Sequence, residues 1–329
     1  MTSHVVRGDF RAMSTTVAMT GVGVPEKSME QAVDNARRLA EEWEQRFSRF
    51  RPDSVLCRLN AAGGQAIPAD DTFRSMLEGV VQAVGRTGGR FDPSILPVLE
   101  ALGYDRSIDE VRAGPADMIP PPVATHGSGL DRWASVRIDH EAGVAALPAG
   151  MRIDLGGIAK GAFVDLLAAE FAQWPGGSID AGGDAMVWGE APDGQAWHIG
   201  VEDPHAPDAD ADALMVEVPS GSRAGIATSG THRRRWRSGG HEVHHLIDPR
   251  TGLPAKSELL SVTALAATVT AAEVAAKAIL LAATTPPVTD LFGASAAVLI
   301  ATDGHAELLH ETQGTDHGID RHTATGRAA

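Results

Sequence analysis

Apolar positions along the chain follow two rhythms, one of a helix and one of a strand. From Glu26 to Phe47 the residues Met29, Val33, Ala36, Leu39, Ala40 and Trp43 recur every three or four positions, which predicts an amphipathic helix. The spacing predicts further helices over Asp71 to Val84, Ile158 to Trp174 and, rich in alanine, Ala271 to Ala282. Residues 4–22 carry many Val and Thr without a helical period and predict opening strands. "SVRIDHEAGVAALPAGMRIDLGG" reads as a hairpin about a Glu/Gly turn. Short strands are predicted at "SIDAGGDAMVWG", "AWHIGVED", "ALMVEVPSG", "GIATSG", "EVHHLID" and "LLSVTALAA", with a strand pair at "AAVLIATDG" and "AELLH". Glycines and two prolines in "GGRFDPSILPVLEALGYD" exclude a regular element there and predict a shaped loop. Grouped strands with intervening helices give an α+β class of mostly antiparallel sheets with packed helices. The expected organisation is a single domain over residues 1–310, with a division into two lobes near the linker-like segment 106–130 as the alternative, and a frayed polar tail over 311–329.

With 329 residues and 43% hydrophobic content the chain is long enough to bury a large core. A formal charge of −15 argues against a nucleic-acid partner, which requires clustered Lys and Arg on one face. The run Arg233-Arg234-Arg235-Trp236-Arg237 is too short for a duplex footprint and reads first as a solvated loop, second as a contact for a phosphorylated ligand. Cys57 is the only cysteine, which excludes an internal disulfide and a cysteine-based metal site. No basic stretch followed by an apolar one opens the chain, and no run of eighteen apolar residues predicts a membrane segment, so the expected location is cytoplasmic.

"HEVHHLIDPRTG", His241 to Gly252, fits the zinc-protease pattern H-E-x-x-H, which works only on a helix, where both histidines share one face. Here "RSGG" precedes it and Pro249 and Gly252 follow, and Val243, His245 and Ile247 alternate with His244, Leu246 and Asp248 in the period of a strand. At about 3.3 Å per residue His241 and His245 would then stand roughly 13 Å apart, too far to share a metal. The strand-and-turn reading places His245 on the face opposite Asp248, before a Pro-x-x-Gly turn.

Three other segments suggest an anion site. "MRIDLGGIAKGAFVD" runs through Gly156 and Gly157 into a helix carrying Lys160, and amides at a helix start beside a lysine suit a phosphate. A plain strand-to-helix turn with a snorkelling lysine explains that segment equally well. The Gly182-Gly183 pair stands inside a predicted strand, where glycine costs stability unless a ligand or backbone approaches closely. Thr228 and Ser229 add hydroxyls able to bind phosphate oxygens. No Walker A loop, Rossmann fingerprint or G-x-S-x-G elbow is present.

In sequence order, "FSRFRPDSVLCRLN", "GGRFDPSILPVLEALGY", "IDLGGIAKGAFVD", "DAGGDAMVWG", "IATSGTHRRRW", "HHLIDPRTGLP" and "LLSVTALAATVTAAEVAAKAILL" resemble the blocks of the FAD:protein FMN transferase family (ApbE), from about Phe10 to Ala282. The resemblance implies an ApbE-like, T-fold-like architecture. It also implies an enzyme that splits the FAD pyrophosphate, attaches FMN through a phosphoester to a Thr or Ser of an acceptor protein, and releases AMP. It assigns Met13, Arg90, Phe91, Asp92, Asp154, Lys160 and Ile247 to the FAD site, Phe50 to stacking on a ring of FAD, and His245 to catalysis. Lys160 would assist by stabilising charge on the pyrophosphate.

The family pattern further implies Mg2+ held by a backbone carbonyl, here Gly157, and by an Asp and a Thr one helical turn apart. This chain has Glu273 and Lys277 at those two positions. Glutamate remains an oxygen ligand, but a protonated lysine has no lone pair to offer. Lys277 is therefore expected to pair with Glu273 and to take over part of the metal's electrostatic role; the plainer alternative is a surface ion pair in a decayed site. The family's M-G-T is here Met13-Ser14-Thr15, and a usual tyrosine is Phe50. Alternatives to transfer are a non-catalytic flavin-binding protein, kept open by Lys277, and an FAD pyrophosphatase that uses water as acceptor.

Overall fold

The computed structural model describes residues 4–113, 129–206, 212–282, 290–311 and 319–323. The chain opens with β1 (Val5–Ala12) and β2 (Thr15–Val22), followed by α1 (Glu26–Phe47), α2 (Val55–Ala61), β3 (Ile67–Pro68), α3 (Asp71–Arg86), α4 (Leu96–Ala101), α5 (Ile108–Ala113) and α6 (Leu130–Trp133). Next come β4 (Arg137–Asp139), β5 (Val144–Ala146), α7 (Ala159–Glu170), β6 (Gly176–Ala181), β7 (Ala185–Gly189), β8 (Ala196–Glu202), β9 (Asp212–Pro219) and β10 (Arg223–Gly230). The last part holds β11 (Arg235–Ser238), β12 (His241–His244), β13 (Ile247–Asp248), β14 (Leu253–Pro254), β15 (Leu259–Ala266), α8 (Val269–Ala282), β16 (Ala296–Ala301), β17 (Ala306–Glu311) and β18 (Ile319–Thr323).

Two compact units share the chain: unit 1 comprises Met1–Glu41, Ile158–His232 and Ser257–Ala329, and unit 2 comprises Glu42–Gly157 and Arg233–Lys256. The boundaries fall elsewhere than at residues 106–130, a segment that belongs to unit 2 and of which 114–128 lie outside the described residues. Where that segment is described it is not simply linker, because α5 and the start of α6 occupy it. Of the tail expected to fray over 311–329, Ile319–Thr323 pairs with β17 as a strand, and residues 312–318 and 324–329 lie outside the described residues.

Unit 1 is organised by a nine-stranded sheet in the order β1-β2-β6-β7-β10-β15-β16-β17-β18, with antiparallel neighbours throughout. α8 packs on β10 and β15, while α7 packs on β6, β7 and α8. α8 is apolar nearly all round, with Val269, Ala272, Ala275, Ala276, Ile279 and Leu280 buried, as a helix enclosed by its own unit should be. A second apolar cluster joins Val22, Val187, Trp197, Val218 and Ile226 across the sheet and the β8–β9 hairpin.

Unit 2 holds the three-stranded sheet β3-β5-β4 and the hairpins β11–β12 and β13–β14. Ser54 caps α2 by accepting the Cys57 N–H at 3.0 Å, and Asp70 caps α3 by accepting that of Phe73 at 2.9 Å. The segment expected as a loop after Phe91 instead forms a 3-10 turn, Pro93–Ile95, that continues into α4. Both prolines stand in first turns, where their missing N–H would have no partner anyway.

Candidate functional site

In unit 1 two hairpin turns, the start of α7 and the middle of α8 gather at one end of the large sheet. Register Ala12↔Thr15 leaves Met13 and Ser14 as a two-residue turn, both left-handed at φ 50° and 59°. Register Asp180↔Ala185, closed by the Ala181 N–H donating to the Asp184 carbonyl at 2.9 Å, makes Gly182-Gly183 the matching turn of the next hairpin, at φ 69° and 93°. The glycine pair is therefore a turn and not the interior of a strand. A side chain at Gly182 would also run into the Thr15 hydroxyl, so the two turns touch. From the pairing Ile226↔Ala185, β10 runs on past the start of β7, which carries Thr228 and Ser229 to this end of the sheet. The Thr228 hydroxyl shares a 2.9 Å bond with that of Thr263 on β15.

Charge is concentrated just behind these turns. Lys160, in the first turn of α7, ion-pairs with Asp184, and its Nζ lies 3.8 Å from Glu273 Oε1. Lys277 Nζ reaches the same oxygen at 3.1 Å, one turn along α8, as the i, i+4 pairing anticipates. Glu273 Oε2 accepts the Gly161 N–H at 3.0 Å, so the carboxylate of this chain itself receives one of the amides at the helix start. Asp184 and Glu273 are only 2% exposed. Burial pushes the Glu273 carboxyl up, but the Lys277 and Lys160 ammoniums and the Gly161 amide outweigh it and hold the group below its ordinary value. Asp180 accepts the Gly182 N–H at 3.0 Å, yet burial prevails and raises its carboxyl above the ordinary range. Sequence reading missed Asp180 and Asp184; their signal was the symmetric "DAGGD", a positive-φ turn with an acid on either side.

Unit 2 assembles an aromatic and ionic group of its own. Arg49 lies over the rings of Phe50 and Tyr104, with its guanidinium carbon 4.2 and 4.5 Å from their centroids. Arg49 also donates to the Tyr104 carbonyl at 2.7 Å and stands 3.4 Å from an Asp154 oxygen. Neither Arg49 nor Tyr104, the sole tyrosine, was singled out from sequence, because each becomes legible only when folding gathers Phe50, Tyr104 and Asp154 around Arg49. Asp154 accepts the Gly156 N–H at 2.9 Å, and its own N–H donates to the Pro93 carbonyl at 2.9 Å. Asp92 is buried, accepting from the Trp133 indole at 2.8 Å and the Ser94 N–H at 2.9 Å. Arg90 is half-buried, Phe91 is a core side chain, and Gly157 closes the turn before α7.

The H-E-x-x-H stretch is a strand at His241–His244, not a helix, and so lacks the geometry of a zinc protease. The strand does not continue through Asp248 as expected. It breaks at His245, a half-buried residue in a bend whose N–H donates to the Arg234 carbonyl at 3.3 Å, and resumes as β13. Downstream, Asp248 accepts from the Arg250 backbone N–H, its Nε and one terminal guanidinium nitrogen at 2.9 to 3.0 Å, within the short β13–β14 hairpin. Ile247 is buried with Tyr104, Trp236 and Val243.

The residues at Glu273 do not fit Mg2+. Both of its oxygens are engaged, Lys277 offers no lone pair, and two ammoniums already face the carboxylate. Among the described residues no group of three or more His, Cys, Asp or Glu is placed to hold a metal.

Comparison with known proteins agrees with this architecture. The chain is 30% identical over 277 residues to the FAD:protein FMN transferase of Treponema pallidum, covering 77% of this chain and 72% of that one. Its counterpart from Vibrio cholerae is 29% identical over 248 residues, covering 73% and 69%. Among solved structures the ApbE protein of Thermotoga maritima superposes with a TM-score of 0.74 at 24% identity, over 92% of this chain and 96% of that one. The apo flavinyl transferase ApbE of Pseudomonas stutzeri gives 0.70 at 20% identity, over 98% and 95%. The ApbE family model matches residues 13–286, and the chain belongs to that family.

Proposed function

We propose that the chain is an FAD:protein FMN transferase, which moves FMN from FAD to a Thr or Ser hydroxyl of an acceptor protein and releases AMP. The observation that carries the reading is the family match across residues 13–286, joined by relatives that bear this name at 29 and 30% identity. In the reaction the acceptor oxygen bonds to the phosphorus on the FMN side. The bond from that phosphorus to the bridging oxygen breaks, and AMP leaves with that oxygen. His245 takes the hydroxyl proton, a task suited to an imidazole near neutral pH. Lys160, oriented by buried Asp184, offsets charge developing on the phosphates. Phe50, 43% exposed and backed by Arg49, presents a ring face to a flavin or adenine. A cytoplasmic location belongs to the same proposal; no described helix is long and apolar enough to cross a membrane.

The test is incubation with FAD and a Thr- or Ser-containing acceptor peptide, read by mass spectrometry. The expected products are a peptide carrying FMN and free AMP, with turnover lowered roughly 10²–10⁴-fold in His245→Ala. FMN and AMP without an adduct would indicate hydrolysis with water as acceptor. Bound but intact FAD would indicate the non-catalytic reading.

A further inference from the structure

The Glu273 carboxylate lies in a buried charge cluster within unit 1. Two ammoniums, Lys160 and Lys277, face two buried carboxylates, Asp184 and Glu273, and Asp180, whose carboxyl burial raises, acts on Lys160 as well. Lys277 Nζ is 3.1 Å from Glu273 Oε1, Lys160 Nζ is 3.8 Å from the same atom, and the Gly161 amide takes Oε2 at 3.0 Å. A divalent ion bonding to either oxygen would stand against the Lys277 and Lys160 ammoniums where solvent screening is weak, and the Gly161 amide already occupies the second oxygen. An ammonium carries one fixed charge, makes up to three hydrogen bonds and needs no loading from solution.

We propose that Lys277 is a built-in cation: its ammonium occupies the seat at Glu273 that a divalent metal would otherwise take, and the native chain binds no Mg2+ or Mn2+ there. The seat stands on these distances alone; its consequence for catalysis, FMN transfer that does not require a divalent ion, rests on the functional reading above.

Mn2+ titration followed by electron paramagnetic resonance tests the seat directly on the full chain. The native protein should show no stoichiometric Mn2+ site, whereas Lys277→Thr, which trades the ammonium for a neutral oxygen donor, should gain one, with affinity higher by about tenfold or more. Adding Glu273→Gln to that variant should abolish the gained site. One Mn2+ per native chain, lost in Glu273→Gln, would overturn the proposal, as would a folded Lys277→Thr that binds Mn2+ no better than the native protein. Should Lys277→Thr fail to fold, Lys277→Met keeps the side-chain length, and the native titration alone still decides. In a separate arm, transfer assayed in EDTA should proceed at the untreated rate, and loss of activity restored by Mg2+ would overturn the catalytic consequence. Absence of adduct under every condition would count against the transferase reading and leave the Mn2+ result standing.

Discussion

Ser14 holds a backbone conformation that its side chain disfavours. At φ 59°, beside Met13 at 50°, it completes the tight turn that brings β1 against β2, a turn where the resemblance implies glycine. Left-handed conformations cost a side-chain-bearing residue about 1–2 kcal/mol. Ser14→Gly is therefore expected to raise stability by about 1 kcal/mol, read as a higher urea midpoint at unchanged slope. Lys160 stood out as a candidate in the sequence through its place at a helix start after paired glycines, and His245 through the family resemblance. Asp184 carried only the weaker signal of an acid flanking a glycine turn, which acquires its meaning when folding delivers a lysine to it.

Elements were most legible where local periodicity and tertiary burial agree. α1 runs Glu26–Phe47 as its spacing predicts, and its buried stripe of Met29, Ala32, Ala36, Ala40, Trp43 and Phe47 recurs every three or four residues. α4 was hidden because Pro97 in its first turn and Pro93 in the turn before it read as breakers, and the β12–β13 break was hidden because alternation continues across a bend. A long-range cap was equally invisible. Asp165 of α7 accepts the Val269 and Thr270 N–H groups at 2.8 and 2.9 Å and the Thr270 hydroxyl at 2.6 Å, tying α7 to the first turn of α8. Asp165→Ala should cost about 2 kcal/mol, measurable by chemical denaturation, because charged caps at helix N-termini are among the stronger local bonds.

For the whole molecule, acid sensitivity follows from groups held below their ordinary values. Burial depresses His244, whose unfolded value is 6.5, against a weaker pull from its bond to the Ala255 carbonyl. The unfolded chain thus takes up a proton below pH 6.5 that the folded chain refuses, and stability present above that pH is lost as pH falls through the folded value. Glu273 adds a loss of the same sign below its unfolded value of 4.5, while Asp180, raised by burial, works in the opposite direction. Urea unfolding from pH 8 downwards should show the loss, and His244→Gln should remove from it a slope of at most about 1.4 kcal/mol per pH unit. The large sheet ends on β18, a short segment whose five pairings cover one flank of β17. Shortening the chain at Glu311 would strip that cover and leave a ladder of unmatched amides and carbonyls open to other copies. Such a product should self-associate, visible as concentration-dependent light scattering, even where its remaining strands fold unchanged.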